Sequence, residues 1–208
     1  MLTKGDDFPI HQKPSPLAEV GSSRNFYDRY FFNGYSHEDE IFFGAVLCVY
    51  PNLNIMDAAF TIAHKGIQHN VRASRILNLE RLDTVVGPIQ VKVIEPLQKL
   101  QVLVNDKDSG INVDITFDGF TEVLQEPQMY LYDGPRKTMD TCRMVQHGSW
   151  TGQIKLENLT IDIDQEKFVG TRDRSWGVRP VGAYDSQPTV PMSLPQFYWL
   201  WNPAHFDD

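Results

Sequence analysis

The stretch VGTRDRSWGVRPVG, Val169 to Gly182, gathers three arginines, one aspartate and one tryptophan in an otherwise acidic chain. On a strand, Phe168, Arg172, Arg174 and Trp176 share one face, and Val169, Thr171, Asp173 and Ser175 share the other. Arginines are seldom buried without a partner, so this density of charge implies an ion-pair network around Asp173. Two roles are open to it. In one, Asp173 is an acid or ligand anchor at a pocket, with Arg172, Arg174, Arg179 and Trp176 lining the site. In the other, the run is a structural clasp that ties one strand to the rest of the protein, with Trp176 as its hydrophobic plug.

Further candidates come from single residues. His147 stands beside Gln146 and Ser149 on the polar side of an extended segment, where it can line a pocket. Trp199 and Trp201, in PQFYWLWNPAHFDD, need a large apolar surface and join the ligand-binding set. His69 lies on an apolar face and reads as a hydrogen-bonded core residue. Lys65-Gly66 as a two-residue turn sets His69 opposite Ile62, so His64 and His69 are not cross-strand partners. With no HxH or HExxH spacing, and with His205, Asp207 and Asp208 reading as a hydrophilic strand end, no metal site is expected. No GxSxG elbow, Walker loop or GxGxxG supports a hydrolase, kinase or dinucleotide enzyme.

The elements that must position these residues are strands. Period-two alternation dominates from Arg24 onward: 54–64 and 67–77 form one hairpin, and 89–104 another around Glu95-Pro96-Leu97-Gln98. The segment 111–118 alternates without error, and 142–164 is long and extended. Two strands joined by SHED open the body. Residues 121–141, with Pro127, Gly134 and Pro135, are the least regular and read as a loop or a lid over a cavity. Many strands at hairpin spacing imply a mainly β fold, a lipocalin-like antiparallel β-barrel, with a two-layer sandwich as the alternative. The expected organisation is an extended segment over 1–23, the barrel over 24–182 and a connecting segment over 183–208.

The chain has 208 residues, 41% hydrophobic and 22% charged, with a net charge of −8. That composition fits a globular chain and argues against non-specific nucleic-acid binding. Cys48 and Cys142 lie far apart in apolar runs and read as buried thiols. The N-terminus has no signal-peptide core, and the apolar run IFFGAVLCVY is half the length of a membrane helix. The reading is therefore cytoplasmic, with no membrane span.

GTRDRSWGVRPVG followed by PQFYWLWNPAHFDD resembles the tryptophan-bearing motif of the hydroxyneurosporene synthase (carotenoid 1,2-hydratase) and AttH-like superfamily, above all its uncharacterised bacterial members. SSRNFYDRYFFNGYS and FGAVLCVYPN are similar to the opening hairpin of that group. The resemblance implies two consecutive lipocalin-like barrels with a ligand cavity between or inside them, this chain being the first barrel and the connection. The second barrel would then be absent or truncated; a homodimer is the other partner reading. It also implies chemistry on apolar, terpenoid- or polyene-like small molecules without a metal or organic cofactor: an acid protonates a C=C bond, water captures the cation, and an aromatic face steadies it. Asp173 would match the acid, and Trp176-Gly177 the Trp-Gly pair. The resemblance further implies histidine where this chain has Arg174, and arginine does not give up its proton at neutral pH.

Overall fold

A computed structural model describes residues 8, 23–36, 38–78, 80–157, 159–179 and 198–205, with Arg136 through its backbone only. Most of the expected segments 1–23 and 183–208 lie outside the described residues, as does the expected boundary at 182.

Alternating sequence becomes antiparallel sheet. The strands are β1 (Phe26–Ser36), β2 (Ile41–Tyr50), β3 (Ile55–His64), β4 (Ile67–Ile76), β5 (Val85–Val86), β6 (Ile89–Glu95) and β7 (Lys99–Asp106). Then come β8 (Ile111–Gly119), β9 (Leu124–Gln125), β10 (Met129–Asp133), β11 (Arg136–Leu156), β12 (Leu159–Ile163) and β13 (Val169–Val178). Ten of them follow the order β4-β3-β2-β1-β13-β11-β8-β7-β6-β5, while β9, β10 and β12 pair with β11. All pairings are antiparallel, and the sheet curls into a nearly closed barrel. At the seam, Arg75 of β4 donates to the carbonyls of Val85 and Asp83, tying the last strand of the path to the first.

Local chemistry sets the turns. Lys65 and Gly66 have φ of 49° and 79°, the twist of a two-residue hairpin, and Ile62 pairs with His69 as the spacing predicts. Leu97 takes φ 65° after Pro96, and Gln98 N–H donates to Glu95 O at 3.1 Å, a proline-led turn closed on an unusual left-handed leucine. Residues 121–141, expected as a loop or lid, instead contain β9 and β10 lying along an extension of β11.

The barrel interior is filled. Phe32, Phe43, Phe60, Phe117, Phe168 and Trp150 are buried in one apolar cluster. Trp150 meets Phe32, Phe43 and Phe117 edge-on and donates its indole N–H to Asn33 O at 2.9 Å. A row of glycines makes room for these rings: Gly34 pairs with Gly170, Gly170 with Gly148, and Gly148 with Gly119 across four neighbouring strands. A methyl group at Gly34 or Gly148 would collide with a phenylalanine ring, and one at Gly170 would collide with the Asn33 carbonyl. At these points the sheet surface is bare backbone on which aromatic rings lie.

Candidate functional site

The arginine-rich strand β13 lies between β1 and β11, and its alternation sends its charges to two different places. Antiparallel partners point to the same side of a sheet. Arg172 pairs with Phe32 and Arg174 with Tyr30, both members of the interior cluster, so these two arginines face inward. Trp176 pairs with Asp28 on that same side. Asp173 pairs with Phe31 and Val145 and faces outward.

Inside the barrel end, Asp28 is fully buried (0% exposed). It meets Arg174 at 2.8 Å and Arg81, from the β4–β5 loop, at 3.4 Å. The Arg174 guanidinium lies over the Tyr30 ring at 4.0 Å and donates to the Phe8 carbonyl at 2.9 Å. Burial pulls the Arg81 pKa down, Asp28 opposes that shift, and Arg174 reinforces it. Arg172 donates to the Gln146 side-chain carbonyl at 2.6 Å, and the Gln146 amide donates to Thr121 O at 2.8 Å and Leu97 O at 3.0 Å. Gln146 forms part of a recess of about 320 Å³ shared with Leu97, Gln98, Thr121, Glu122, Val123 and Gln125.

On the outside, Asp173 is 4% exposed. Arg29 of β1 reaches one of its oxygens at 3.3 Å and Arg143 of β11 the other at 3.1 Å. Arg143 also meets Glu126 at 3.4 Å and lies beneath the Trp199 ring at 5.1 Å. Trp201 packs edge-on against Phe31 at 6.0 Å, so the segment 198–205 runs across this outer face. Arg179 stands over the Tyr27 ring at 4.2 Å, in a separate cluster with Cys48, Tyr50 and Asp57. Burial pushes the Cys48 thiol up to about 12, with a hydrogen bond from Tyr50 opposing the shift. Burial also raises Asp57, against the lowering effect of Arg179. His147 is half-buried; burial lowers its pKa, and the nearby His205 adds to the lowering.

The structure therefore does not gather the predicted set at one place. Arg172, Arg174 and Trp176 share the inner side, while Asp173, His147, Trp199 and Trp201 belong to the outer side and Arg179 stands apart. Asp173 is flanked by Arg29 and Arg143, not by its sequence neighbours, because residues adjacent along a strand point to opposite sides. Four residues that hold these networks were missed: Asp28, Arg81, Arg29 and Arg143. Asp28 left a trace, a carboxylate on the same face as Tyr30 and Phe32 within NFYDRYFF. Arg81 left none, since it comes from a loop. Cys48 is buried as expected, Cys142 is only partly buried, and neither is in a disulfide. Among the described residues, no group of three or more His, Cys, Asp or Glu could hold a metal ion, and no helix is long and apolar enough to cross a membrane.

The barrel is similar in fold to kievitone hydratase from Nectria haematococca, with a TM-score of 0.55 at 16% identity over 72% of this chain and 47% of that one. It is also similar to CghA, with a TM-score of 0.50 at 14% identity, and to CghA with Sch210972, with 0.51 at 13%. Both CghA matches cover 82% of this chain and 52% of the other. The mainly β barrel expected from the sequence is thus the fold observed, and the chain spans about half the length of these structures. No curated protein matches the sequence. A family model fits residues 2–208, and the chain belongs to that family, the family of unknown function DUF8625.

Proposed function

We propose that the chain is a lipocalin-like binding or assembly domain in which the arginine-rich strand is an ion-pair clasp. The observation that carries this reading is the position of Asp173: buried on the outer face, with one oxygen at Arg29 and the other at Arg143, across the strand from Trp176. A catalytic acid must bring its proton within hydrogen-bond reach of a substrate. Both Asp173 oxygens are instead engaged by guanidinium groups, and the three partners sit on adjacent strands β1, β13 and β11. The reading invokes no metal or organic cofactor.

A second reading keeps a ligand. It is favoured by fold similarity to a hydratase and to a protein solved with a small molecule, Sch210972. On this reading the domain holds an apolar, terpenoid- or polyene-like molecule, and the recess lined by Gln146, the hydrogen-bond partner of Arg172, is a candidate opening for it. Acid-assisted hydration, isomerisation or cyclisation there would use a group other than Asp173.

Native mass spectrometry of the full chain purified from cells, paired with Asp173→Asn, tests the two. The clasp reading expects a ligand-free protein and a variant that loses roughly 1.5–3 kcal/mol of unfolding free energy, the value of hydrogen bonds to a charged group. An apolar ligand retained by the wild type and lost from a normally folded Asp173→Asn variant would overturn it.

A further inference from the structure

We propose that residues 198–205 form a strap across the outer face of the barrel, released when His147 and His205 become charged together. This goes beyond both readings above, which concern strand β13 and the interior. The strap belongs to no strand. Ring contacts hold it at three points. Trp199 lies over the Arg143 guanidinium at 5.1 Å, Trp201 meets the Phe31 ring edge-on at 6.0 Å, and His205 lies against the Phe120 ring at 5.4 Å. The two indoles stack on each other at 6.4 Å. Leu200 between them is 86% exposed and Tyr198 beside them 93%, so alternate side chains of the strap face the barrel and the solvent. Trp199 itself is 54% exposed. A segment that buries so little apolar surface sits at the low end of local stability, and a small change in charge shifts its docking.

The change of charge is available at the His205 end. His147 and His205 flank one residue: the Phe120 amide donates to the His147 carbonyl at 3.1 Å, and the His205 ring lies against the Phe120 ring. His147 shares the outer side of β11 with Arg143, Val145 and Ser149. The other charged groups around it are already matched. On β13, Asp173 is held by Arg29 of β1 and Arg143 of β11. Just past β9, Glu126 meets Arg143 at 3.4 Å. On β8, Asp118, opposite Ser149, meets Lys99 of β7 at 2.7 Å. Glu122 borders the recess at Gln146. From the strap, the group that acts on His147 is a second imidazole, and histidine gains its charge roughly between pH 8 and pH 5. Burial first, and His205 second, lower the His147 pKa below its ordinary value of 6.5. An imidazole lowered in this way favours the docked state fully above 6.5, and that contribution is lost as pH falls below it. The share that comes from His205 disappears when the strap leaves, so docking itself weakens in acid.

Fluorine NMR of the full chain labelled with 5-fluorotryptophan tests this. The four tryptophans give four signals, and Trp199→Phe and Trp201→Phe assign the two on the strap. The other two, Trp150 and Trp176, report the barrel, with Trp150 in its core. Between about pH 7.5 and about pH 5.5 the strap signals should move toward their positions in the urea-unfolded chain while the Trp150 signal stays. The ratio of docked to released strap should fall by at least about threefold, within a ceiling of about tenfold per pH unit for each proton bound. His147→Gln keeps the ring contact of His205 with Phe120 and removes the charge pair, so its strap signals should stay docked at about pH 5.5. His205→Gln should flatten the response to pH as well, whatever its docking at neutral pH. Strap signals that hold still across this range, that move equally in both histidine variants, or that move only together with the Trp150 signal overturn the proposal.

Discussion

Asp28 and Asp173 lie on opposite faces of one sheet, and each is approached by two arginines from other elements. Removing a charge from water costs several kcal/mol, recovered only when partners are well placed. The cost of breaking such a set is therefore larger than the benefit of having it. Asp28→Asn leaves Arg81 and Arg174 buried without their carboxylate and should lower the unfolding free energy by roughly 3–5 kcal/mol, read from urea titrations. A loss no larger than that of an exposed Asp→Asn substitution would mean the inner network carries little of the fold. Cys48 gives a pH signature. Its folded pKa is raised from 9.0 to about 12, so between those values the unfolded state has released a proton that the folded state keeps. Stability contributed by the buried thiol is complete below 9.0 and falls as pH rises, by up to about 1.4 kcal/mol per pH unit. Cys48→Ala should flatten this alkaline decline in urea midpoints. Tyr50, shifted upward mainly by burial, leaves part of the slope in place. An identical decline in wild type and variant would remove Cys48 from the effect.

The strands β1, β13 and β11 form the element on which both networks are mounted. Their register aligns Gly34, Gly170 and Gly148, and this row sets how closely the aromatic core can approach the sheet. Gly170 is the tightest case because its neighbours are the Asn33 backbone carbonyl and the Trp150 indole, and a backbone group does not rotate away. Gly170→Ala should cost about 1–3 kcal/mol, the usual cost of overpacking, and should blue-shift tryptophan emission less than the wild type does on folding. A thermal midpoint equal to the wild type would show that the sheet relaxes freely there. The strands themselves were readable from alternation: the hairpin around Lys65-Gly66 and the unbroken pattern of 111–118 match β3, β4 and β8. Two strands were not. β9 and β10 are short and largely exposed, so no burial pattern marks them, and Pro127, Gly134 and Pro135 around them read as loop. They exist because β11 extends past the end of β8 and offers a partner there.

At the scale of the whole molecule, the first strand closes against the last: Phe26 pairs with Val178 and Tyr35 with Val169. That one long-range pairing brings NFYDRYFF beside TRDRSWG and sets Arg174 against Asp28 and Arg29 against Asp173. It also fixes the outer face across which Trp199 and Trp201 lie and beside which the β10 edge is exposed. The interior is packed with aromatic rings, and a recess opens at Gln146, the partner of the inward-facing Arg172. The sequence by itself determined the mainly β character, the hairpin turns and the two-sided division of the 168–176 strand, because side-chain alternation and turn conformation are local. Only the tertiary structure decided which arginine meets which carboxylate, which face is inside and which glycines line up. Those follow from register between strands that are not neighbours in the sequence, β1 with β13, β13 with β11 and β11 with β8, and no local pattern of residues encodes that register.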